Sequence, residues 1–219
     1  MAGFDLKEAL VKAFKETALM SGVSLLAAVI IGGAIGLLLY ATSSRLFVRN
    51  RIVNQTAGVI INIVRSIPFL ILLVLLIPLS KAIVHTTIGP TAVVIPLSIA
   101  SIAFFARLAD VSFSDVNQGV IEAAISTGAS KWSVIFQILL PEALPSLVKN
   151  ITVTAVSLIG FSAMAGTVGG GGIGDLAIRY GYQRYQTDVM LICVVLLILL
   201  VQGVQLIGDI AAKLLDKKQ

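Results

Sequence analysis

Acidic side chains are missing from the middle of every long apolar run in this sequence. Proton-coupled carriers use such groups as relays, so that class is disfavoured. The same absence removes an obvious acid–base pair for catalysis inside a membrane, and no nucleophile–base constellation is visible elsewhere. Cysteine and histidine occur once each. Cys193 sits in an apolar run, has no intrachain partner for a disulfide, and leaves the redox compartment open. His85 falls in an expected loop, and one His with one Cys does not make a His/Cys metal site. No G-x-x-x-x-G-K-[ST] sequence is present, so no phosphate-cradling loop of that kind is expected on this chain. Charged residues make up only 12% of the chain, against roughly 25% in a soluble domain.

What is present is apolar length. Of the 219 residues 58% are hydrophobic, and the mean hydropathy is +1.02. Residues 18–44, 82–106, 150–174 and 189–208 contain no Asp, Glu, Lys or Arg. Each is near or above the ~20 residues that cross a bilayer as a helix. A fifth segment, about 53–80, is interrupted by Arg65 alone. The expectation is an all-α integral membrane protein with five transmembrane helices. It forms one transmembrane domain over 18–210, with a short tail at 211–219 and no separate soluble domain. Residues 1–17 lack the short apolar core of a cleavable signal. Leu6, Leu10, Ala13, Phe14 and Thr17 share a helical face, which fits an amphipathic helix on the membrane surface or a simple lead into the first span.

The net charge of +5 does not imply nucleic acid, because the basic residues flank the spans. Arg45, Arg49, Arg51, Arg107, Lys131, Lys149, Lys213, Lys217 and Lys218 fall on one side. Lys7, Lys12, Lys15, Lys81, Arg179 and Arg184 fall on the other. The positive-inside rule then puts the N-terminus outside and the C-terminus in the cytoplasm. Arg65 is the one basic residue within a span. It either acts in transport or reaches the cytoplasmic surface along its aliphatic stem. Gly32 and Gly36 form a GxxxG that reads as close helix packing. Pro68, Pro78 and Pro96 predict kinks or helix ends. The run GTVGGGGIGD (166–175) contains a formal G-x-G-x-x-G, but a membrane span precedes it instead of a strand, so a flexible or tightly turning backbone is expected.

The cytoplasmic stretch EAAISTGASKWSVIFQILLP (122–141) is the informative one. Ile121, Ala124, Ile125 and Gly128 share one helical face. Gly128 suits a helix stop, and Ser130 suits the cap of a second helix. On that helix Trp132, Ile135, Phe136 and Leu139 form an apolar stripe, and Pro141 disfavours a helical Leu140. The product is a helix–turn–helix elbow, either a docking surface or a plain interfacial loop.

The spacing E-A-A, three residues, G, nine residues, I-x-L-P resembles the EAA motif of ABC-importer permease subunits. Glu122, Ala123, Ala124, Gly128, Ile138, Leu140 and Pro141 all match. The stretches RSIPFLILLVLLIPL (65–79) and SAMAGTVGGGGIGDLAIRYGY (162–182) are similar to the methionine-import branch, and the likeness covers most of the chain. The resemblance implies a type I importer fold and a homodimer of permeases. Two cytoplasmic ATP-binding subunits would carry ATP and Mg, and an extracytoplasmic binding protein, often a lipoprotein, would deliver the substrate. It places the chain in a bacterial inner membrane, with no cofactor and no catalysis of its own. Glu122 would then contact the ATPase, Ala123, Ala124 and Gly128 would allow close approach and the bend, and Ile138, Leu140 and Pro141 would anchor the elbow. Met164, among small residues near the outer end of its span, is a gate candidate. Phe161 and Ser162 are weaker pore-lining candidates. The alternatives are a permease for another small amino acid, or an ion-coupled carrier or channel.

Overall fold

The computed structural model describes residues 6–44 and 47–215. The described residues are helical and contain no strand. In chain order the helices are α1 (Leu6–Ser43), α2 (Arg51–Ser66), α3 (Phe69–Leu75), α4 (Ile77–Val84) and α5 (Pro90–Ser114). The elbow helix α6 (Gln118–Ser126) and α7 (Lys131–Val168) follow, and then α8 (Gly172–Leu176), prolonged by one wide turn to Tyr182, and α9 (Thr187–Leu215). Four of these, α1, α5, α7 and α9, are long and apolar enough to cross a bilayer.

The expected fifth span, 53–80, is not straight. The chain turns by 102° between α2 and α3, and only together are the two long and apolar enough for a span, as a broken span or a re-entrant loop. Pro68 causes the break. Proline disfavours the helical region for the residue before it, and Ile67 is extended at φ −81°, ψ 124°. Pro78 lies in the first turn of α4, where its missing N–H costs nothing. Pro96 neither ends nor interrupts α5 and is buried within it.

Of the two readings of the first 17 residues, the described part matches the lead into the first span. From Leu6 onward they are not a separate surface helix but the first turns of α1, which is 38 residues long. At 1.5 Å per residue that is about 57 Å, well beyond the hydrocarbon thickness. The face carrying Leu6, Leu10, Ala13 and Thr17 is covered by protein, not lipid. Ala13 packs with Ile173, Leu176, Ala177, Val189 and Cys193 of α8 and α9, while Phe14 points outward.

Close backbone approach holds α1 on α5. A Cβ on Gly32 would lie 2.8 Å from the Ile102 carbonyl oxygen, and one on Gly36 would lie 2.7 Å from that of Ala106. Short polar bonds add to this. Ser101 donates to the Ser24 carbonyl at 3.1 Å, and Asn150 Nδ2 donates to Ser112 Oγ at 2.7 Å between α7 and α5. Gly36→Val is expected to destabilise the chain by about 2 kcal/mol, because α5 backbone cannot yield as a side chain would. Thermal unfolding in detergent beside the wild type reads the effect.

Candidate functional site

The elbow lies at the end of the bundle where α1 and α5 finish. Its foundation is an apolar cluster of Tyr40, Phe47, Phe113, Val116, Ile121, Val134, Ile135 and Leu139. Ile121 is fully buried, and Ala124 and Ile125 pack against the same cluster, as the helical face predicts. Lys131 Nζ donates to the Phe47 carbonyl at 2.9 Å and ties the elbow to the segment just before α2.

The turn itself is built as the residue types require. Asn117 caps α6 by accepting from Gly119 N at 2.9 Å. Gly128 has φ +88°, a left-handed conformation that favours glycine, and nothing lies within 4 Å of where its Cβ would be. Ser130 caps α7 by accepting from Ser133 N at 3.2 Å. Glu122 and Ala123 project away from the buried face and are exposed. The result is a small, rigid projection with little side-chain bulk over its backbone.

Three parts of the sequence expectation are corrected here. The proline does not end the second helix. Leu140 is helical at φ −65°, ψ −49°, and α7 continues through Pro141 by way of a wide turn at Ile135–Leu139. A wider turn moves the bonding register by one residue, which accommodates a residue without an N–H. The stripe is also divided. Ile135 and Leu139 are buried, but Trp132 and Phe136 are 70% and 59% exposed and stack on each other at 6.1 Å. Finally, Pro141 is exposed and Ile138 is half-buried; Leu140 does pack against the cluster, but its buried anchors here are Val134, Ile135 and Leu139. Sequence reasoning missed Val134, although its i, i+1, i+5 relation to Ile135 and Leu139 marks one side of a widened turn.

At the opposite end, the glycine run is tightly packed rather than flexible. Gly171 and Gly172 have φ of +80° and +81°. Gly172 N donates to Glu16 Oε2 at 2.8 Å, and Ile173 N donates to Thr17 Oγ1 at 3.0 Å. Glu16 and Thr17 thus cap α8 from another helix, a tertiary contact with no local sequence signal. Beside it opens a cleft of about 580 Å³ lined by Glu8, Lys12, Glu16, Asp175, Arg179 and Tyr180 among others. Arg179 is hydrogen-bonded to Asp175 there.

Met164 lies near this end of α7 and is 51% exposed. It shares an outward face with Lys149, Val153 and Gly160, also exposed. Phe161 stacks on Phe69 of α3 at 4.8 Å, so it joins two helices instead of presenting a free face. Ser162 is buried, and its hydroxyl donates to the Ile159 carbonyl of its own helix at 2.8 Å. Its side chain is thus turned into the bundle of this chain. Arg65 is exposed in the last turn of α2.

The family model for the binding-protein-dependent transport system inner membrane component matches residues 32–219. The chain belongs to that family. Within the permease family, it is 46% identical over 188 residues to a Vibrio cholerae protein named probable D-methionine transport system permease protein MetI, covering 86% of this chain and 84% of that one. It is 44% identical over 181 residues to the Bacillus subtilis methionine import system permease protein MetP, covering 83% and 82%. A solved chain from the MetNI methionine ABC transporter, described in inward-facing conformations, superposes with a TM-score of 0.95 at 39% identity, covering 98% of this permease chain and 100% of that one.

Proposed function

We infer that this chain is the membrane permease subunit of an ATP-driven importer for methionine, in its L and D forms. The elbow carries the reading. A buried Ile121 fixes it to the bundle, a left-handed Gly128 bends it, and Glu122 and Ala123 stand exposed for a partner surface. The methionine relatives support the choice of substrate. The chain is a permease; ATP is hydrolysed on a separate subunit.

In this account two permease chains form the pore, and two cytoplasmic ATP-binding subunits hold ATP and Mg. The elbow docks on them, so the N-terminus lies outside and the C-terminus in the cytoplasm. Closure of the ATPase pair moves both elbows, and the helices rock between two openings, a shift driven by differential binding to the two states. Met164, flexible and apolar on an exposed face, serves as the gate. A substrate-binding lipoprotein docks at the end carrying the mixed-charge cleft, in the bacterial inner membrane.

Uptake of labelled L-methionine into vesicles bearing the complete complex tests the substrate. Excess unlabelled D- or L-methionine is expected to suppress it, and other small amino acids are expected to leave it unchanged. Suppression by an unrelated amino acid at equal concentration would contradict methionine as the cargo.

A further inference from the structure

Helix α2 presents three faces, and only two have an evident use. Asn54, Ala57, Ile61 and Val64 turn inward; Ile61 is buried among Leu39, Ala103 and Ala106, and Ala57 and Val64 pack beside it. Asn54 Nδ2 donates to the Leu39 carbonyl at 2.7 Å. A second, apolar face carries Ile52, Val59, Ile60 and Ile63, all more than half exposed, as suits lipid or another apolar helix. The third holds Arg51, Gln55, Gly58, Asn62, Arg65 and Ser66. These recur at helical spacing, and no large apolar side chain falls within the sector.

Neither lipid nor a second copy suits this third face. Every member but Gly58 is exposed, and among the described residues Arg65 has no hydrogen bond or ion pair. Amide and guanidinium groups facing hydrocarbon would be costly. Two cations with no acid would repel their own symmetry copy. Arg65 also lies fourteen residues from Arg51, about 20 Å along the helix and too far for one side chain to reach that end. A water-filled passage satisfies all of these groups.

The bend fixes where the face leads. Phe69, four residues after Arg65 and past the 102° bend, stacks on Phe161, which lies three residues before Met164. The end of α2 that carries Arg65 is therefore joined, across the bend, to a helix that packs on α7 within one turn of the gate candidate. We propose that this face of α2 lines the translocation pathway and that Arg65 is its contact for the carboxylate of the transported amino acid. A guanidinium suits that group because its planar fork donates two parallel hydrogen bonds to a carboxylate. The proposal rests on the import reading given above.

The test uses the complete complex in vesicles with methionine as the probe. In a Cys193→Ser background, Gln55→Cys and Asn62→Cys are expected to react with a charged, membrane-impermeant thiol reagent about tenfold faster than Val59→Cys and Ile63→Cys, since thiolate chemistry needs water. Equal reactivity on the two faces would overturn the pathway assignment. Arg65→Ala is expected to lower methionine uptake about tenfold, the loss of one charge-assisted contact, and to raise the ATP consumed per methionine imported. Arg65→Lys is expected to recover part of the rate, and Val59→Ala to leave it unchanged. Wild-type uptake by Arg65→Ala would overturn the carboxylate contact. Labelling is read without substrate. A wild-type complex that imports no methionine would therefore sink the import reading, and the carboxylate contact with it, while the pathway assignment is still judged on its own.

Discussion

Gly174→Ala is expected to destabilise the protein by about 3 kcal/mol or more, although it adds a single methyl group. A Cβ at Gly174 would collide with the backbone of Ala163, and one at Gly166 would collide with the backbone of Gly174 and Asp175. The end of α7 and the start of α8 therefore meet backbone to backbone. No flexible side chain lies between them to move aside, so relief requires the two helices to separate. Separation would also pull α8 from Glu16 and Thr17, leaving the donors of Gly172 and Ile173 without their caps. Gly203→Ala is the matched control, since nothing lies within 4 Å of its Cβ position in the middle of α9. That change is expected to be neutral or to stabilise by roughly 0.5–1 kcal/mol through helix propensity. Thermal unfolding of both variants in one detergent decides it. A fall of roughly 6–12 °C is expected for Gly174→Ala and none for Gly203→Ala. Equal melting temperatures would mean that this end is as loose as the glycine-rich sequence first reads.

The second large effect falls on transport, not stability. Gly128→Leu meets no atom within 4 Å, so the substitution does not disturb packing. Its cost is conformational, about 1–2 kcal/mol for a left-handed L-residue, and the chain relieves that strain by re-aiming the elbow. Ala123→Trp acts differently. It leaves the turn intact and adds bulk to the exposed projection. Both variants are expected to fold and insert, because Ile121, Val134 and Leu139 keep the foundation. Both are expected to lower methionine uptake about tenfold or more, the order that follows when a close contact is displaced by an ångström or so. ATP hydrolysis by the partner subunit would continue without import. The paired assay measures uptake and phosphate release from the same vesicles. Uptake at the wild-type rate in both variants would show that the elbow is only an interfacial loop.

How much of this was legible in the sequence depends on the range of the interactions involved. Gly128, the Ser130 cap and the inward face of Ile121, Ala124 and Ile125 follow from local rules, and they stand where those rules put them. The GxxxG of Gly32 and Gly36 does pack, because a close approach leaves no other residue type there. Apolar length identified four straight spans, but it did not show that Ile67 and Pro68 turn the fifth by 102°. Proline was a poor guide in both directions. Pro68 breaks a helix, whereas Pro96 and Pro141 sit within helices, the latter beyond a widened turn. Hydropathy also could not tell a surface-lying helix from the first turns of α1, since an amphipathic face looks the same whether lipid or protein covers it. The contacts that settled it, Glu16 with Gly172 and Thr17 with Ile173, join residues more than 150 positions apart. The surroundings of Phe161 and Ser162 were hidden for the same reason. Their neighbours, Phe69 and the chain's own Ile159 carbonyl, are fixed by tertiary and helical geometry rather than by composition.

One measurement tests the central claim most directly, that the elbow transmits energy from a separate ATPase into movement of the helices. Vesicles are prepared with this chain and its binding protein, with and without the ATP-binding subunit, and labelled methionine uptake is followed with ATP on the cytoplasmic side. The account predicts accumulation against a gradient only when the ATP-binding subunit and ATP are both present. Accumulation by the chain without that subunit, or ionic current through it, would contradict the account and identify a carrier or channel instead.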